Sequence, residues 1–339
     1  MNVQKLETLP PPPGVIGSLR AGFDAVSSHV MLILFPLALD LWLWLGPRLS
    51  VEGLLSPYFK FMFDQARRGM ASPADIQRIS GAQALFMEAL ERFNVLSLLS
   101  KLLTFPIGVS SLSAGTMPVV TPYGEQRIMQ VSSLPGLIGL AFLLILIGWV
   151  GGGLYFRWVS GTALGGEEAG ISSVRAIVQT FILSAIWFIS LVMVTVPVLF
   201  VLTILALISP ALANGVVFVM LMLSFWLIVP LFFTPHGIFA RRQNAFYSVF
   251  SSLRMTRFTL PTSGMFVLSA FILYRGLNYL WSIPPNDSWM MLVGIAGHAF
   301  ITTALLAASF VYYRDMNAWL QTVFEQVQQK QTVPGRQVQ

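Results

Sequence analysis

The stretch 234–261, TPHGIFARRQNAFYSVFSSLRMTRFTLP, lies between two long apolar runs and carries four arginines, Arg241, Arg242, Arg254 and Arg257, and no acidic residue. Phe246, Val249, Phe250 and Leu253 recur at i, i+3, i+4 and i+7, one stripe of a helix. Asn244, Ser248, Ser251 and Ser252 fall opposite, and Met255 interrupts that polar face. Arg242, Arg254 and Arg257 fall beside or within the stripe, where long cationic side chains snorkel to lipid headgroups. The pattern predicts a helix lying on the cytoplasmic membrane surface between two spans. A soluble amphipathic helix packed on protein has the same periodicity and is the alternative.

Composition places that stretch in a membrane protein. Of 339 residues, 55% are hydrophobic and 10% charged, against about 25% charged in soluble domains, and mean hydropathy is +0.74. The absence of cysteine excludes disulfides, thiolate metal sites and cysteine nucleophiles. The net charge of +6 suits cytoplasmic loops facing anionic lipid. No basic stretch is interleaved with base-stacking aromatics, so nucleic acid is not an expected partner.

Working outward, apolar runs near 30–45, 134–158, 176–208, 215–233, 264–283 and 289–313 supply six candidate spans. Each needs about 20 apolar residues to cross a core of about 30 Å. The expected organisation is a disordered proline-rich lead (1–13), then a surface helix and first span (14–45). A long extracytoplasmic connection with amphipathic helices (46–133) and a five-span core (134–315) follow, and an amphipathic helix with a disordered tail (316–339) closes the chain. The first run is too long for a signal peptide and no small-residue cleavage pattern follows, so it is expected to stay as an anchor. Within the connection, 57–70 and 73–92 read as helices, with Ser72 before Pro73 as an N-cap signal. Residues 94–113 are apolar but hold Lys101 and Pro106, which suits a re-entrant or interfacial segment better than a span.

Loop charge sets the orientation. Arg157, Arg175, the four arginines of 240–261 and Arg314 fall on one side of a six-span chain, whereas 209–214 has no basic residue. Both termini are then cytoplasmic, in a multi-pass protein of a prokaryotic plasma membrane. A short motif recurs before the first, third and fifth spans: Ile16-Gly17-Ser18-Leu19-Arg20, Ile171-Ser172-Ser173-Val174-Arg175 and Phe250-Ser251-Ser252-Leu253-Arg254. It predicts an all-α fold of three surface-helix-plus-hairpin repeats. In it, Leu or Val beds into the acyl boundary, Arg reaches phosphate and Ser occupies the wet face.

The hairpins fed by surface helices, with GTALGGEEAGISSVRA at 161–176 and the stretch from Pro235 to Arg257, resemble the six-span membrane domain attached to some bacterial glycerophosphodiester phosphodiesterases and related uncharacterised polytopic proteins. The likeness covers about 134–315. The long 46–133 connection departs from it, and without a soluble phosphodiesterase domain that activity does not carry over.

Charged groups inside spans are the default functional candidates. Asp40, Arg275 and His298 lie about five, eight and nine residues from the outer ends of their spans, depths that agree within roughly 6 Å at about 1.5 Å per residue. An Asp40–Arg275 pair with His298 nearby is therefore expected, either as a substrate or proton path or as a buried pair fixing helix register. His236 reads as a helix-end cap rather than a ligand. Glu167 and Glu168 read as favourable charges before a helix N-terminus. Gly148, Gly151–Gly153, Gly294 and Gly297 mark close helix contacts. Trp42, Trp44, Trp281 and Trp289 suit an interfacial belt. No hydrolase, metalloprotease or haem pattern is present, and no metal or cofactor is expected. The candidate lipid-headgroup contacts are Arg20, Arg175, Arg241, Arg242, Arg254 and Arg257. Two functions follow. One is a non-enzymatic accessory, scaffolding or lipid-interacting module, with the bilayer, anionic lipids and a membrane protein as partners. The other is a small-solute or lipid transporter or channel built on Asp40, Arg275 and His298.

Overall fold

The computed structural model describes residues 11–69, 72–100, 105–165 and 170–332. The start of the proline-rich lead, Lys101, Glu167, Glu168 and the last seven residues of the tail lie outside them. Five stretches of helix are long and apolar enough to cross a membrane: α6 (Leu134–Leu164), α7 (Ser173–Ile208), α8 (Pro210–Phe232) with α9 (Thr234–Arg241), α10 (Ala245–Trp281) and α11 (Met291–Thr332). A sixth forms only by joining α1 (Val15–Ser28) to the 3-10 turn Val30–Ile33 and α2 (Leu34–Leu45) across a break at His29. The chain is thus an all-α protein with a multi-pass membrane architecture.

The expected surface helices are not separate elements at two of the three motif positions. Ser173–Arg175 is the first turn of α7, and Phe250–Arg254 lies inside the unbroken α10. At 1.5 Å per residue, the 37 residues of α10 reach about 55 Å, well beyond a core of about 30 Å. The arginine-bearing half therefore extends from its span instead of turning to lie flat. Pro261 is accommodated within the helix. Likewise, the polar helix expected after Arg314 is the continuation of α11.

The chain folds into two compact units, drawn from Met1–His29, Arg157–Tyr274 and Thr303–Gln339, and from Val30–Phe156 and Arg275–Thr302. The first unit packs around Val229, Phe233, Met255, Phe266, Tyr312, Tyr313 and Met316. Its helices approach along faces of small residues. A Cβ at Gly22 of α1 would overlap Ala304 and Ala308 of α11. On α10 the protein-facing seam is Ser248, Ser252, Thr256, Thr259 and Ser263, all buried, while Phe246, Phe250 and Leu253 are exposed. The serine face, expected on the wet side, is instead packed against protein. Small residues let backbones pack closely.

The second unit holds most of the long connection. Helices α3 (Glu52–Arg68) and α4 (Pro73–Arg92) form a hairpin whose rings Phe59, Phe63 and Phe86 meet at 4.5 to 5.9 Å. Ser72 holds the N-cap position of α4 in extended geometry, with Pro73 at the first turn and no side-chain cap bond. Two small sheets, not expected from the sequence, close the connection. β1 (Arg48–Ser50) pairs in parallel with β4 (Ile128–Gln130), and β2 (Val120–Thr121) pairs antiparallel with β3 (Gly124–Glu125).

Between α4 and the sheets, the chain makes an excursion beside α6. Val95, Leu96 and Ala114 share a cluster with Leu144 of α6. Ile107 and Gly108, between them in sequence, lie against Gly152, where a Cβ would come 2.6 Å from the Ile107 carbonyl oxygen. Eight residues of helix, about 12 Å, separate Leu144 from Gly152. The short helix α5 (Ser113–Thr116) ends the excursion.

Candidate functional site

Asp40 sits on α2 with no exposed surface. Its carboxylate accepts the backbone N–H of Leu112 at 3.1 Å, the N–H of Ser113 at 2.9 Å and the Ser111 hydroxyl. The Ser113 hydroxyl adds a bond to the Asp40 backbone carbonyl at 3.2 Å. Asp40 thus fixes the end of the excursion to α2. The carboxylate oxygens find their donors in one turn of loop.

Arg275 is exposed on α10 and forms no ion pair with Asp40 among the described residues. His298 is buried on α11, where its carbonyl accepts the Thr302 hydroxyl at 2.8 Å. Matched depth therefore does not bring Asp40 and Arg275 together. Depth places residues on one level of a bundle but says nothing of which helix face they occupy. An exposed arginine about nine ångströms from the end of its helix at Trp281 can extend its guanidinium toward the interface.

His236 is buried in the first unit among Phe232, Phe233, Phe310 and Tyr313. Its Nε2 lies 2.7 Å from Ser309 Oγ. The Ser309 hydroxyl donates to the Leu306 carbonyl at 2.6 Å, so its oxygen accepts the Nε2 proton. The residue joins α9 to α11. Close by, α8 ends at Phe232 and α9 begins at Thr234. The Ser252 hydroxyl donates to Pro230, the Ser248 hydroxyl to Thr234 and the Thr234 hydroxyl to Leu231.

The six arginines assigned to headgroup contact are all exposed. Arg20 stands 3.7 Å from Asp24, and Arg175 donates to the Arg242 carbonyl at 2.6 Å. Arg242 caps α9 in the left-handed region, φ 55°. The motif positions themselves differ in setting: Ser18 and Ser252 are buried and Ser173 half-buried, while Val174 is exposed and Leu19 packs on the core.

Arg241 and Arg254 line one cavity of about 580 Å³ between the arginine-bearing half of α10 and the end of α11. Phe250, Phe258 and Phe324 form its apolar part, Phe258 meeting Phe324 edge-on at 5.5 Å. Asn317 accepts from Arg241 at 2.9 Å, and no acidic residue lines the space. Two cations beside an aromatic wall suit an amphiphile with an anionic head.

Of the four expected belt tryptophans, Trp44 proves to be core, Trp281 is half-buried, and Trp42 and Trp289 are exposed. Trp44 is fully buried, donates to the Asn286 carbonyl at 2.7 Å and meets Trp289 edge-on. Trp281 fills the space left by Gly294 and Gly297. Trp42 remains exposed. Among the described residues, no group of three or more histidines and carboxylates is placed to hold a metal ion.

Comparison with protein-family models, with curated proteins and with solved structures finds no match.

Proposed function

We propose that this chain is a non-enzymatic membrane module that engages anionic lipid through the basic end of α10 and α11, at the cytoplasmic face assigned by loop charge. The observation that carries the reading is the cavity shared by Arg241, Arg254 and the phenylalanines of α10 and α11. Arg254 and Arg257 lie seven and four residues before Pro261, about 10 and 6 Å outward along the helix. That is the headgroup layer if the core begins near Pro261. Anionic lipid at such a surface gains about 1 kcal/mol per basic residue.

The test is the lipid retained through purification. Wild-type protein should retain phosphatidylglycerol in preference to phosphatidylcholine from a mixed supply, and the Arg241→Gln/Arg254→Gln double variant should lose that preference. Equal retention by both proteins would contradict the reading. The alternative, a small-solute or lipid transporter or channel, is favoured by the excursion beside α6, because irregular backbone at membrane depth persists where it is packed in protein or lines a path. Solute flux into proteoliposomes that stops on disturbing Gly152 would favour transport. An accessory module would show no flux in either protein.

A further inference from the structure

Arg48 opens β1 and is 3% exposed. Its backbone is satisfied, with the N–H donating to the Arg127 carbonyl at 2.9 Å. Its guanidinium is not: Nε and Nη1 are enclosed and reach no acceptor among the described residues. No ion pair among the described residues includes Arg48, and Glu88 is engaged by Arg92 at 2.9 Å. Arg48 lines a cavity of about 510 Å³ together with Thr116, Glu88, Glu91, Arg92 and Asp287. The Thr116 hydroxyl is a second enclosed polar atom without a partner. A buried cation is tolerated when an anion and hydrogen bonds compensate its lost hydration. Here two donors of one cavity wall lack that compensation, while carboxylates stand on the same wall.

We infer that this cavity binds a small zwitterion, its oxyanion seated on Arg48 and Thr116 and its ammonium facing Glu91 and Asp287. An anion alone would meet the acids unfavourably, and a cation alone would meet Arg48. A phosphodiester–ammonium group satisfies both. Such a group occurs in free glycerophosphoethanolamine and in the headgroup of phosphatidylethanolamine. Arg48 follows closely on the end of α2 at Leu45, where a span meets the interface, so both sources can reach it. The site belongs to the second unit and is independent of the arginines of α10.

The experiment is calorimetric titration of the full-length protein in maltoside micelles with glycerophosphoethanolamine, dihexanoyl phosphatidylethanolamine, glycerophosphate and ethanolamine. Saturable binding of a zwitterion, tighter than either half-molecule, is expected. Preference for the dihexanoyl lipid identifies a lipid source, and equal or tighter binding of the glycerol derivative identifies a free solute. Arg48→Met should weaken binding about tenfold or more, as expected for loss of a charged hydrogen bond. Thr116→Val and Asp287→Asn should weaken it by smaller factors with melting temperature unchanged, and they carry the test if Arg48→Met does not fold. No saturable binding of either zwitterion overturns the inference. So does unaltered affinity in the folded variants, or binding of glycerophosphate or ethanolamine alone as tight as that of the zwitterion.

Discussion

At the scale of residues, the protein's buried polar groups act as joints. Asp40 ties the loop of Ser111–Ser113 to α2, and replacing it with alanine orphans two backbone N–H groups. Asp40→Ala should therefore cost about 3 kcal/mol, seen as a lower melting temperature in detergent. The exchange Asp40→Arg with Arg275→Asp should recover none of this loss, because the two residues are not partners; recovery toward wild-type stability would show that they are. Asp40 was conspicuous in the sequence as an acid inside an apolar run, but its partners were not. They come from a loop without periodicity, 71 or more residues away, and only the folded backbone brings them together. The serines of 248–252 were visible as one face, yet that this face packs on protein follows from its bonds to the Thr234 and Pro230 carbonyls, which only the fold supplies. Ser252→Leu should overpack a closed seam and cost about 1–3 kcal/mol, while Phe250→Ala at an exposed site should leave the melting temperature nearly unchanged. Similar losses from both substitutions would place the aromatic stripe in the core.

At the scale of elements, spans and connection helices were legible because their signals are local. The run 176–208 reappears within α7, and Ser72-Pro73 marks the start of α4. Where one helix continues into the next was not legible. Arginines and serines at 245–261 suggested a change of environment, and the helix passes through that change unbroken. Glycine had a similar double meaning. Gly294 and Gly297 do mark a helix contact, with Trp281, but Gly152 admits a loop backbone instead. A valine at Gly152 would displace Ile107 and Gly108, so Gly152→Val should expose the 105–112 segment to limited proteolysis. Valine at Gly151, where nothing lies within 4 Å, should not. Equal resistance of both variants would mean that the segment does not depend on this contact.

At the scale of the whole molecule, hydropathy and loop charge together predict a multi-pass protein with its basic helix ends in the cytoplasm. The cysteine-free chain allows that sidedness to be read by labelling. Single cysteines at Tyr247 and Ala84, both exposed, should react with an impermeant maleimide from opposite sides of a sealed membrane, and labelling from one side would break the six-span arrangement. Function was the least legible property, because the lipid recognition proposed for this chain needs no sequence motif beyond basic and aromatic residues brought to one surface. Arg241 and Arg254 were visible as cations, but the cavity they share is completed by Phe324 and Asn317, which lie far along the chain. The most direct measurement is the affinity of the purified protein for dihexanoyl phosphatidylglycerol. Wild type should bind it saturably, and Arg241→Gln/Arg254→Gln should bind roughly thirtyfold more weakly, as the loss of two contacts of about 1 kcal/mol each implies. An unchanged affinity in the double variant would contradict lipid recognition at this cavity.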